Sequence, residues 1–174
     1  MTGSEPLSMD EEYAMQESWR ADSDKCTFIV LAKDPQAGPG GCDIYDNSQM
    51  VGDVNFFLNG SDGPHEAELE VMIAEAGASG KGIATEVLAL MMHYAVNDAA
   101  VTDFVARIKE TNDASIHIFR DKFGFVETER SRAFKEVTLR RSADAGLCAV
   151  LDQHAAGAAR VEYNAALAAP PAAA

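Results

Sequence analysis

Basic residues are scarce: 14 Lys and Arg stand against 28 Asp and Glu, giving a formal net charge of −14. Nucleic acids and anionic membrane surfaces both call for clustered cations, so the chain is expected to bind neither. An acidic surface attracts cationic partners such as amines, and it equally serves solubility. Cysteine is sparse as well. Cys26, Cys42 and Cys148 are odd in number, widely spaced and form no C-x-x-C pair, which reads as reduced, unlinked thiols rather than a disulfide framework. The start lacks a basic then apolar leader. The most apolar run, Val87 to Val96, is too short to cross a bilayer and His93 interrupts it. A cytoplasmic location is therefore expected, with a nuclear one left open, and the sequon-like Asn59-Gly60-Ser61 reads as a turn.

With 174 residues, 47% of them hydrophobic, the chain suits one domain with a sizeable core. Ser8 and Glu11 have capping-box spacing, and Met9, Tyr13, Met15 and Trp19 mark a loosely amphipathic helix to about Arg20. Thr27 to Leu31 reads as a first strand, followed by a long Pro/Gly/Asp loop from Lys33 to Ser48. Met50 to Leu58 is a second strand with a possible bulge at Gly52. After a turn at Asn59 to Pro64, Glu66 to Ala74 is a third strand. There Glu66, Glu68, Glu70 and Met72 share one face, and Leu69, Val71 and Ile73 the other.

A long helix follows, with Ile83, Val87, Leu90, Met91 and Tyr94 at helical spacing as its core-facing set. Asp103 to Ile108 is a fourth strand, and a helix starts at Asn112 to Ser115 and ends at Phe123-Gly124-Phe125 with Gly in the C-cap role. Phe125 to Glu129 and Phe134 to Arg141 read as a closing hairpin. Past Arg141 alanine dominates, so residues 142–174 are expected to be a mobile tail that buries little, with a short helix around Val150 to Leu167. Early hairpin strands and a helical crossover imply a mixed sheet flanked by helices, an α/β (α+β) fold.

The turn between the third strand and the long helix reads Ser79-Gly80-Lys81-Gly82-Ile83-Ala84-Thr85. Glycines let backbone N–H groups approach an anion, the helix start favours negative charge, and Lys81 adds a cation, so this is a candidate phosphate cradle. A P-loop does not fit, because Glu75 stands where its first Gly belongs and Gly82 follows Lys81. A dinucleotide fingerprint fails at Thr85, where Gly or Ala is needed. An ordinary strand-to-helix turn fits the same residues.

Ser79-x-x-Gly82-x-Ala84 resembles the Gln/Arg-x-x-Gly-x-Gly/Ala motif of the GCN5-related N-acetyltransferases (GNAT), with Ser79 in place of Gln or Arg. A second motif lies in the expected order. Asn112, Ser115 and Phe119, closing in Phe123-Gly124-Phe125, resemble the family's Asn-x-x-Ala/Ser-x-x-x-Tyr run ending in Gly-Phe. Ser4-Glu5-Pro6-Leu7, Glu12-Tyr13-Ala14-Met15-Gln16, Asp24 to Leu31, Met50-Val51-Gly52-Asp53-Val54-Asn55 and Phe134 to Arg140 are similar to the N-acetyltransferase 9-like branch in particular. The resemblance covers about residues 4 to 141, so residues 1–141 are taken as the acetyltransferase-like domain.

The resemblance implies acetyl transfer from acetyl-CoA, as co-substrate, to an amine of a protein or peptide, by direct attack and without a metal. It implies that the parallel strands around the long helix splay apart. The cofactor arm would run along Met72, Ile73 and Ala74, its pyrophosphate on Gly80, Lys81, Gly82, Ile83, Ala84 and Thr85, and Asn112 would contact the arm near the second motif. Attack needs a neutral amine, hence a proton acceptor, and Glu68 and Glu70 are the candidates because they lie on the cofactor strand. A strand N–H near Met72 is the candidate donor to the developing oxyanion. The family's usual acid, the Tyr of the second motif, is Phe119 here, though a thiolate leaving group with a pKa of about 8.5 tolerates its loss. His93 and His117 read as structural.

The family fold normally opens with a strand and a helix ahead of the point where this chain starts. Either the product is truncated or the branch has lost an edge strand, and losing it would leave Thr27 to Leu31 as a sheet edge and remove part of the acceptor wall. Phe119, Ser79 and this departure motivate the alternative reading, a catalytically weak or inactive binding module on the same fold.

Overall fold

The computed structural model describes residues 7–33, 48–58 and 65–160. The loop expected between Lys33 and Ser48, the turn at Asn59 to Pro64, the Ser4 to Pro6 stretch and residues 161–174 lie largely or wholly outside these.

Helix α1 (Met9–Ala21) begins on the expected capping box: the Ser8 N–H donates to Glu11 Oε2 at 2.8 Å, and the Glu11 N–H to Ser8 Oγ at 3.4 Å. None of its residues is buried. Trp19 lies under the Lys25 ammonium, 3.7 Å from the ring centroid.

Strands β1 (Lys25–Lys33), β2 (Ser48–Leu58) and β3 (Glu66–Ile73) pair antiparallel in sequence. Next come a 3-10 turn at Ala76–Ala78, helix α2 (Ile83–Asp98) and strand β4 (Asp103–Lys109), which returns parallel to β3. Helix α3 (Asp113–His117) passes into a single π turn at Ile118–Lys122. Gly124, at φ +70°, then reverses the chain into the hairpin of β5 (Val126–Ser131) and β6 (Glu136–Ser142). The six strands lie in the order β1-β2-β3-β4-β6-β5, the expected mixed sheet, with β1 at one edge among the described residues.

Alternation along the strands divides the sheet into two unlike faces. One carries Val54, Phe56, Ala67, Leu69, Phe104, Ala106, Val137 and Leu139, all buried in the core with helices α2 and α4 (Ala145–Ala155). The other carries Asp53, Asn55, Glu66, Glu68, Glu70 and Arg107.

Two expectations need correction. The buried positions of α2 are Leu88, Ala89, Met91, Met92 and Ala95, whereas Ile83, Val87, Leu90 and Tyr94 are half-buried. The helix is apolar nearly all round, so spacing alone does not choose its inner face; packing against the sheet does. Its half-buried side instead lines a groove of about 1260 Å³ with Phe28, Leu31 and Arg160. The Ala-rich stretch also differs from expectation in its first part. Helix α4 starts at Ala145, on the Asp144 cap, and buries Leu147 and Leu151 to 1% exposure each. Two leucines four residues apart on one face are enough to dock a helix whose other positions are small.

The irregularity expected at Gly52 falls one residue earlier. Val30 pairs Gly52 and Leu31 pairs Met50, so Val51 is the extra residue of β2. Its carbonyl accepts the N–H groups of both Ala74, at 2.8 Å, and Glu75, at 3.3 Å. Gly52 is required by close approach: a Cβ there would lie 2.0 Å from the Met72 carbonyl oxygen.

Candidate active site

The only parallel pairing among the described residues is brief. Glu66, Ala67 and Glu68 pair with Asp103, Phe104 and Val105, and beyond them β3 runs on with β2 alone while β4 runs on with β6. A wedge-shaped gap opens at the carboxyl ends of the two parallel strands, where α/β sheets place their ligands. The Ala74 N–H donates to Val51 on β2. By strand alternation Met72 also turns its backbone groups toward β2, while Val71 and Ile73 turn theirs toward the gap. The amides available there are thus the two that flank Met72. Met72 itself is 57% exposed.

At the mouth of the gap the chain enters α2. Gly80 and Gly82 stand at φ +74° and +83°, the left-handed region that glycine enters without strain. Gly82 is the N-cap of α2 and supplies no side chain to it. The N–H groups of Ile83, Ala84 and Thr85 therefore carry no side-chain cap, and Glu86 is the first to bond back, to the Gly82 carbonyl at 3.1 Å. Nothing stands within 4 Å of a Cβ built at either glycine. The turn is open to a ligand, and exposed Lys81 stands between the two glycines. Bare amides, a helix start and a lysine are what a pyrophosphate requires, so these residues fit one.

Asn112 is on the opposite lip, just past β4. It caps α3, its Oδ1 accepting the Ser115 N–H at 3.1 Å, which leaves its amide NH₂ for other partners. Phe119 is 2% exposed and packs edge-on against Phe125, with centroids 5.1 Å apart. It serves the core and has no proton to give.

The structure separates the two carboxylate candidates. Glu68 lies in the paired part of β3 and forms an ion pair with Arg107 of β4. Glu70 lies just past the last parallel pair, on the polar face. Glu70 is exposed, yet desolvation by the surrounding sheet, then the like charge of Glu68, push its carboxyl above the usual range; Lys25 opposes this and Asp53 adds to it. A carboxyl with raised proton affinity beside an open cleft is a better proton acceptor than an ordinary surface carboxylate.

Next to it is a group of residues that spacing alone did not single out. The Thr27 hydroxyl donates to Asn55 Oδ1 at 2.5 Å, and Asn55 Nδ2 donates to Asp53 Oδ2 at 2.6 Å. Asn55 is the one polar or charged residue fully buried among the described residues, at 7% exposure. The available signal was two polar residues at i and i+2 within the apolar run Met50 to Leu58 of β2. His93 and His117 face Asp152 and Asp121 on helical surfaces, and no group of His, Cys, Asp and Glu among the described residues could hold a metal ion.

The family model described as "Acetyltransferase (GNAT) domain" matches residues 2–126. The human protein named alpha/beta-tubulin-N-acetyltransferase 9 is 48% identical over 141 residues, covering 80% of this chain and 66% of that protein. An N-acetyltransferase 9-like protein of Nematostella vectensis is 44% identical over 139 residues, covering 80% of this chain and 68% of that one. The chain thus spans about two thirds of the length of such relatives. Among solved structures, Mycobacterium smegmatis RimJ in complex with CoA-disulfide superposes with a TM-score of 0.68 at 15% identity, covering 90% of this chain and 73% of that one. Campylobacter jejuni PseH in complex with acetyl coenzyme A gives 0.58 at 15% identity, covering 78% and 79%. A sheet that splays beside a glycine turn, the matching family model and these relatives lead to one conclusion: the chain belongs to the GNAT acetyltransferase family, in its N-acetyltransferase 9-like branch.

Proposed function

We propose that this chain transfers an acetyl group from acetyl-CoA to an amine of a protein or peptide by direct attack. The observation that carries the reading is the gap between β3 and β4, opening beside a helix start whose first amides carry no side-chain cap. Acetyl-CoA, as co-substrate, supplies an acyl group activated as a thioester. The amides of Ile83, Ala84 and Thr85, with Lys81, hold its pyrophosphate. The gap-facing edge of β3 from Val71 to Ala74 receives the arm like an added strand, and Asn112 meets it from the far lip. The backbone N–H of Val71 or Ile73 donates to the carbonyl oxygen as negative charge develops on it.

Glu70, rather than Glu68, takes the proton. The attacking nitrogen forms its bond to the carbonyl carbon as the carbon–sulfur bond breaks. The sulfur leaves with the electron pair, and the proton lost by nitrogen passes to Glu70. A protein acceptor is supported by the tubulin-acetyltransferase name of the human relative, and a cytoplasmic setting by unlinked Cys26 and Cys148. The test is incubation of the chain with radiolabelled acetyl-CoA and a library of peptides bearing free amines. Label on peptide amines that is lost in Glu70→Gln supports the reading; no transfer by folded protein contradicts it. Phe119 favours the second reading, a binding module on this fold, for which acetyl-CoA binding without turnover is the signature.

A further inference from the structure

Thr27, Asn55 and Glu70 form one transverse row on the polar face. Thr27 of β1 pairs with Asn55 of β2, and Asn55 pairs with Glu70 of β3. The row stops there, because Glu70 has no partner on β4. It therefore runs from the edge strand to the lip of the gap, with a buried amide at its centre. Burying an amide is costly unless its donors and acceptors are satisfied, and Asn55 satisfies them sideways, to Thr27 on one strand and to Asp53 two residues back on its own. The second bond fixes the Asp53 carboxylate on the same face, diagonal to Glu70.

We propose that Asn55 is a positioning residue for acetyl transfer: clamped by Thr27, it holds the Asp53 carboxylate beside Glu70. This rests on the reading of Glu70 as the proton acceptor. The charged groups facing Glu70 are Glu68 on its own strand, Asp53 from β2 and Lys25 from β1, with Arg107 of β4 engaged by Glu68. Glu68 is engaged by its arginine, and the carboxylate fixed by Asn55 adds a further, smaller push in the same direction on how readily Glu70 binds a proton. A loose Asp53 would turn to solvent and that bias would fade.

The test follows the Glu70 carboxyl by carbon-13 NMR titration in the full chain, with transfer to a labelled acceptor peptide measured alongside. Asp53→Asn removes a like charge, so the Glu70 midpoint moves to lower pH, with proton affinity falling about threefold. Asn55→Ala and Thr27→Val move it in the same direction by less, and Thr27→Ser, which keeps the hydroxyl, restores the wild-type midpoint. The rate at neutral pH falls by up to about threefold in Asp53→Asn and by less in Asn55→Ala, with KM for acetyl-CoA unchanged. If Asn55→Ala fails to fold, Asp53→Asn and Thr27→Val carry the test, since both keep the buried amide. Unmoved midpoints and rates in these variants, with transfer lost in Glu70→Gln, would overturn the positioning role and leave the base standing. Unchanged transfer in Glu70→Gln would overturn the base itself and this inference with it.

Discussion

Two demands on a carboxylate conflict at Glu70. Desolvation by the surrounding sheet and the nearby Glu68 and Asp53 disfavour its ionised form, which weakens the folded state when the group must ionise and strengthens it as a proton acceptor. Its carboxyl binds protons more tightly folded than unfolded, so its contribution to stability is fully present below the ordinary carboxylate range and is lost as pH rises through the raised folded value. Glu70→Gln should therefore raise the melting temperature at pH 7 relative to wild type, and the difference should shrink on acidification below the usual carboxylate range. The same variant should slow transfer by about a hundredfold at neutral pH. A lower melting temperature at pH 7, or an unchanged rate, would remove Glu70 from that role. Glu68 and Glu70 were legible as a pair, because alternation places both on one face. Their separation was not, because it depends on where pairing with β4 stops and on Arg107, 39 positions away from Glu68.

At the scale of elements, the third strand matters most, and its end is set by its neighbour. Gly52 allows β2 to pass within Cβ distance of the Met72 carbonyl, so Gly52→Ala must push the end of β3 toward the gap. Overpacking of that kind costs about 1–3 kcal/mol. Chemical denaturation should show that loss, accompanied by weaker acetyl-CoA binding; a loss of stability with unchanged affinity would mean that the end of β3 does not form the cofactor edge. Helix α4 makes the opposite prediction. Leu151→Ala should cost about 2–5 kcal/mol by opening a cavity, while leaving acetyl-CoA affinity intact, because α4 packs against α2 and supplies none of the residues assigned to the cofactor. The order of elements and the crossover helix could be read from periodicity and turn residues, and both motifs from resemblance to the family. The docking of α4 was masked by alanine-rich composition, and the inner face of α2 by its nearly uniform apolarity. Side-chain packing decides such features, and composition does not record it.

Over the whole molecule, the sheet separates two surfaces with different chemistry. The polar face carries the row that ends at Glu70; the core face carries a groove between β1 and α2 that meets the site around Glu75, Gly77, Lys81 and Ile83. The account rests on the glycine turn and the splayed gap acting together as one acetyl-CoA site, and titration calorimetry with acetyl-CoA tests this most directly. Wild type should bind at one site per chain. Gly82→Glu should weaken binding at least about tenfold with the helix content of the protein preserved, because it sets bulk and negative charge among the first amides of α2. Equal affinity in the two proteins, or no binding by folded wild type, would contradict the account.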